Sequence, residues 1–217
     1  MTTWGQRARR VLRVAGIDAR RVPRARLPWE REAQDPRELV RQHNLDAIHF
    51  ACGTNVHAPP WINVDGLAPP VRAGTWSVRA DLTARLPFDD ATFRFGYSED
   101  FIEHLTQSEA LSFLSEAHRV LQPGGVLRLS TPSLEGVLRR HYRRTDWEGA
   151  RVGAAEAYDP YGHVHFFSRG SLEAVARHLG FSAVEDVAFG ASRHERLRGV
   201  DTRAHQVDLN LLVELTR

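Results

Sequence analysis

An apolar run from Ala47 to Cys52 breaks at Gly53 and, after residues 53–60, resumes as Trp61 to Asp65, ending on a carboxylate. Small residues at such a break let a ligand approach bare backbone. An acid at the tip of the next strand suits two hydrogen bonds to a ribose diol. The pattern belongs to open α/β sheets, which bind ligands beyond the carboxyl ends of their strands. Only Gly53 remains of a glycine-rich loop, so the specificity has to come from later segments.

Asp35-Pro36 with Glu38 marks a helix start, the aspartate as cap and the proline at the first position. Strand one is expected over Ala47 to Cys52, strand two over Trp61 to Asp65, strand three near Ser77 to Ala80 and strand four over Phe93 to Ser98. Thr106-x-x-Glu109 forms a capping box before Leu111, Leu114, Ala117 and Leu121, which share one helical face. Pro123-Gly124-Gly125 stops that helix and turns into strand five, Val126 to Thr131. Ser133 starts a helix reaching about Tyr142, and residues 143–162 read as irregular, a candidate lid extending to 167. Ser168 to Leu179 is a helix closed by Gly180. Ser182 to Ala188 and Leu209 to Leu215 read as two final strands, the last alternating as an antiparallel strand would.

Strands alternating with helices imply an α/β fold, a mostly parallel seven-stranded sheet with an antiparallel last strand. One spacing resists this. Residues 53–60 are fewer than the dozen or so that a parallel crossover normally needs, and Pro59-Pro60 make a helix there implausible. Spacing rules alone favour an antiparallel pairing of strands one and two.

Composition narrows the class. The 217-residue chain is 42% hydrophobic and 26% charged, the profile of one globular domain. No apolar run reaches the roughly 20 residues that span a bilayer. A single cysteine, Cys52, excludes an internal disulfide and a cysteine-based zinc cluster, and fits a reducing cytoplasm. All 29 basic residues are arginine; nine of them precede residue 32 against Asp18 and Glu30, so this arm carries +7 and the remainder −5 of the net +2. Residues 1–35 are read as a basic helix and linker, with 36–217 as one domain. Such an arm could touch phosphate, but no aromatics suited to base stacking accompany it, and nucleic acid is not the expected partner.

Taken in order, these segments resemble class I S-adenosylmethionine-dependent methyltransferases, and most closely the methyltransferase type 11 group in its "GCG…WINVD" branch. ACGTN is similar to the cofactor-loop motif and PPWINVD to the second-strand acidic motif. ADLTARLPFDDATF is similar to the adenine-side motif, YSEDFIEHL to the fourth-strand motif and RVLQPGGVLRLSTP to the fifth-strand motif. HVHFFSRGSLEAVARHLGF is similar to the helix preceding the last strands. The branch tolerates a short first crossover, so the resemblance implies the Rossmann-like parallel arrangement. It departs in three places: no carboxylate ends strand one, Ala51 and Asn55 replace loop glycines, and Asp100 stands where relatives often carry histidine.

The resemblance implies S-adenosyl-L-methionine as cofactor, held by Ala51, Cys52, Gly53, Asp65, Gly66, Asp81, Leu82, Tyr97 and Ser98. Asp65 would grip the ribose, Asp81 would accept from the adenine amine and Leu82 would pack on the ring. The structural alternatives are a turn glycine for Gly53, a turn cap for Asp65 and a solvated aspartate for Asp81. For catalysis Asp100, His104 and His163 are the candidates. Asp100 and His104 face together if the turn after strand four is helical, and His104 could take a proton near neutral pH. Each histidine could equally be a structural tie, and Glu103 is read as structural. Nothing in the spacing specifies a metal.

The expected function is methyl transfer to a small-molecule acceptor, most specifically a hydroxyl of a sugar or saccharide, in the cytoplasm; a homodimer is compatible with it. The alternatives are a methyltransferase-like binding protein without catalysis, suggested by Ala51, and a nucleic-acid methyltransferase, suggested by the basic arm.

Overall fold

The computed structural model describes residues 35–217 except Ala68 and Val71. The expected basic helix lies outside the described residues. Helix α1, Pro36–His43, begins as its sequence implies: the Asp35 side chain accepts from the Arg37 amide, and Asn44 ends it in the left-handed region. β1 (Ala47–Phe50), β2 (Trp61–Asp65), β3 (Trp76–Arg79) and β4 (Phe93–Glu99) follow. A 3-10 turn, Ile102–His104, leads into α2 (Gln107–Val120), whose Thr106–Glu109 capping box forms as expected. Then come β5 (Leu121–Pro132), α3 (Leu134–His141), α4 (Trp147–Ala157), α5 (Arg169–His178), β6 (Ala183–Asp186) and β7 (Asn210–Thr216).

The seven strands form one sheet in the order β3-β2-β1-β4-β5-β7-β6. β1 pairs parallel with both β2 and β4, so the short crossover is real and the antiparallel alternative is excluded. β7 runs antiparallel between β5 and β6. Strand one ends at Phe50 rather than Cys52, because Ala51 turns to a φ of 52°. β5 begins at Leu121 rather than Val126: the chain is already extended there, and the Pro-Gly-Gly segment is absorbed as a register shift against β4.

One face of the sheet carries Ile48, Phe50, Ile62, Val64, Leu127 and Leu129, packed with Phe113 and Leu114 of α2 and Leu172 of α5 in the main core. Among the described residues no helix follows β1, β2 or β3, and the opposite face is closed differently. The connection from β6 to β7 lies over it and places Leu197 and Val200 against Ala47, Trp61, Tyr97 and Val126. Within that cover Arg128 of β5 is fully buried, paired with Asp201 and Glu214 and donating to the carbonyls of Ala188 and Ala191.

The segment expected to be irregular contains α4. Its start is capped by Asp146, which accepts from the Gly149 amide at 2.7 Å. Gly149 and Gly153 permit the close approach of α4 to the end of α3: a Cβ on the first would lie 2.5 Å from the Arg144 side chain, and one on the second 2.9 Å from the Tyr142 ring.

Candidate active site

The strand order reverses between β1 and β4, and a sheet of this kind opens a crevice at the carboxyl ends of the two strands there. Both strands leave that edge under backbone strain. Ala51 after β1 has φ 52° and Asp100 after β4 has φ 48°, a region that costs non-glycine residues energy and persists where surrounding structure enforces it.

On the β1–β3 side, Asp65 closes β2 and ties the loop to the sheet. Its Oδ2 accepts from the Gly53 amide at 2.8 Å and its Oδ1 from the Leu67 amide at 2.8 Å. Each carboxylate oxygen keeps a second acceptor position after one such bond. Gly53 is exposed with φ 51°, and no atom lies within 4 Å of where its Cβ would stand, so the loop presents open backbone. Cys52 is buried, and burial with the nearby Asp65 charge pushes its thiol up to about 12, which makes it a wall of the loop and not a nucleophile. Gly66 is buried directly after β2, its carbonyl accepting from Arg79.

The adenine-side expectations fare unevenly. Asp81 is exposed at the end of β3 and accepts from both the amide and the hydroxyl of Thr83, the turn-capping role. Leu82 has no exposed surface and belongs to the main core, which favours a core role over packing on a ring. Tyr97 is likewise fully buried, on the covered face against Trp61 and His49, where it packs and does not line an open cleft. Ser98 is buried at the end of β4 with no hydrogen-bond partner for its hydroxyl.

Across the switch point, polar side chains from distant parts of the chain converge. Asp100 accepts from Asn210 Nδ2 at 2.8 Å and pairs with Arg203 Nε at 2.9 Å; Asn210 also donates to Ser130. Glu103, in the 3-10 turn, is fully buried and accepts from Thr131 Oγ1 at 2.9 Å through Oε2. His104 follows it, and the ring of His163 lies 4.9 Å from that of His104. The segment carrying His163 is fastened there because the Val164 and His165 amides both donate to the Glu103 carbonyl. His165 points elsewhere, against Phe167.

Electrostatics redistribute the roles expected of these groups. Burial and the neighbouring His163 hold His104 down to about 4, so it is neutral across the physiological range and a weaker base than the sequence suggested. Burial, reinforced by the Asp100 charge, pushes Glu103 up to about 8. Burial also raises Asp100 and lowers His163. The structure thus unites Asp100, His104 and His163, and adds Glu103, Thr131, Arg203 and Asn210. Glu103 was read from the sequence as structural. Arg203 and Asn210 carry no local signal, since the β6–β7 connection brings in the first and the start of β7 the second.

A family model for a methyltransferase domain matches residues 64–129, from β2 through β5. Among solved structures, the chain is similar to an S-adenosylmethionine-dependent methyltransferase from Archaeoglobus fulgidus, with TM-score 0.51 and 13% identity, over 83% of this chain and 92% of that one. It is similar to a methyltransferase from Thermotoga maritima described as a possible histamine N-methyltransferase, with TM-score 0.51 and 18% identity, over 78% and 80% of the two chains. At these identities the likeness is one of fold. No curated protein matches the chain in sequence.

Proposed function

We propose that this chain is a class I S-adenosylmethionine-dependent methyltransferase, as the matched methyltransferase segment and the fold support, and that it methylates a hydroxyl of a small-molecule acceptor, a sugar or saccharide in particular. The loop side fits the cofactor: open backbone at Gly53, and at Asp65 a carboxylate oxygen pair fixed by two amides with acceptor capacity to spare. When bound, the cofactor supplies an electrophilic methyl carbon on a sulfonium, whose displacement leaves a neutral thioether. The protein's own task is alignment, since in-line displacement depends on holding nucleophile and methyl carbon in register.

The observation that carries the acceptor reading is the cluster Asp100, Glu103, His104 and His163, opposite the cofactor loop across the switch point. A neutral His104 accepts a hydrogen bond from a hydroxyl, and Asp100, anchored by Arg203 and Asn210, offers a second acceptor to a neighbouring one. Vicinal hydroxyls of a saccharide suit such paired acceptors. A single cysteine, left as a free thiol, fits a reducing compartment, and we place the protein in the cytoplasm. Among the described residues no helix is long and apolar enough to cross a membrane.

The test is calorimetric binding of S-adenosylmethionine to the full chain, followed by turnover on a panel of sugars and glycosides. Absence of cofactor binding at millimolar concentration would defeat the reading. His104→Ala is expected to lower turnover with little change in cofactor affinity, and retained turnover would remove His104 from the acceptor end.

A further inference from the structure

We propose that Glu103, His104 and His163 bind one divalent first-row transition-metal ion at the acceptor end of the crevice. Each residue offers one ligand atom, and these atoms all lie within 4.8 Å of one another. His104 Nε2 stands 4.0 Å from Glu103 Oε1. Ligand atoms around a bound ion at roughly 2.0–2.2 Å sit closer than this, so the side chains have about an ångström to close. The two histidines can supply that movement, because neither is fully buried.

Two further observations point to a ligand. Glu103 is fully buried, and its Oε1 has no hydrogen-bond partner although Oε2 is held by Thr131. A fully buried carboxylate oxygen left without a partner is costly, and a cation would satisfy it. His163 Nδ1 lies 2.8 Å from the Ala157 carbonyl. That contact requires the proton on Nδ1 and leaves the Nε2 lone pair free, the orientation that backbone carbonyls impose on metal-binding histidines. Thr131 and Ala157 are therefore the outer supports of a ligand set.

The donor set selects the ion. Two imidazoles and one carboxylate favour manganese, iron, cobalt or zinc over magnesium or calcium, which prefer all-oxygen sites. Three protein ligands also leave coordination positions open. In the role that rests on the methyl-transfer reading, an open position holds the acceptor oxygen and lowers the pKa of its hydroxyl, so that the ion takes the place of the direct His104–hydroxyl hydrogen bond. The binding of the ion does not depend on that reading.

The experiment is titration of the metal-stripped full chain with Co²⁺, followed by calorimetry and by visible d–d absorption, with S-adenosylmethionine binding measured on the same samples. One equivalent per chain is expected, with Glu103→Gln and His163→Ala each weakening affinity at least about tenfold. His165→Ala, next to the cluster and outside it, should bind Co²⁺ as the parent does. His163 is only half-buried, so its variant keeps the fold, which circular dichroism checks if Glu103→Gln does not. No saturable binding, or affinity unchanged in His163→Ala, or an equal loss in His165→Ala, would overturn the site. Co²⁺ binding without cofactor binding would leave the site standing and defeat the methyltransferase reading; the reverse result would do the opposite.

Discussion

The guanidinium of Arg128 grips both carboxylate oxygens of Asp201, and both side chains are wholly removed from solvent. Glu214 and two backbone carbonyls complete the arginine's hydrogen bonds. Removing one member of a buried pair strands the other, at about 3–5 kcal/mol. Arg128→Leu is therefore expected to destabilise the protein by that amount. Chemical denaturation measures it, and a change under 1 kcal/mol would mean the pair is not the clasp of this face.

Asp65→Ala removes the acceptor for the Gly53 and Leu67 amides together with the expected ribose contact. Cofactor affinity should fall at least about tenfold, since hydrogen bonds to charged groups contribute about 1.5–3 kcal/mol each. Calorimetry with S-adenosylhomocysteine gives the answer, and unchanged affinity would take Asp65 out of the site.

Leu82 separates a core role from a cofactor role. Because its side chain is fully buried, Leu82→Ala should cost about 2–5 kcal/mol of stability. The affinity of the folded variant for S-adenosylhomocysteine should stay within a few-fold. Strongly weakened binding with stability preserved would restore the adenine contact.

His49 sets an acid limit. Burial and the adjacent His57 hold it down to about 3, against 6.5 for the free side chain. Below about pH 6.5 the unfolded chain takes up a proton that the folded protein refuses. The stability His49 contributes is thus complete above that pH and declines by about 1.4 kcal/mol per unit as pH falls toward 3. His49→Leu should flatten the decline by about one proton between pH 6 and 4, read from urea unfolding across that range. An unaltered slope would show that other groups govern acid unfolding.

The sequence made strands, caps and the acid at the tip of β2 legible wherever local chemistry decides the outcome. Thr106–Glu109 and Asp35–Pro36 act within one turn, and WINVD carries its own acid to the strand tip. Helix α4 was hidden because Gly149 and Gly153 look like breakers, whereas tertiary packing on Tyr142 and Arg144 requires them. Leu82 and Tyr97 sit inside motifs of the right order, but a motif does not state how deeply its side chains are buried. The basicity of His104 was misjudged for the same reason, since its burial and the nearby His163 come from the tertiary fold. The buried Arg128 could not be foreseen, as its partners arrive from β7 and the connection before it.

That connection performs two tasks at once. It roofs the bare side of the sheet with Leu197 and Val200, and it delivers Arg203 to Asp100. Substitutions in residues 187–209 therefore reach the Asp100 cluster while leaving the Gly53–Asp65 loop untouched. The same coupling makes loosening of the roof a threat to chemistry as well as to folding.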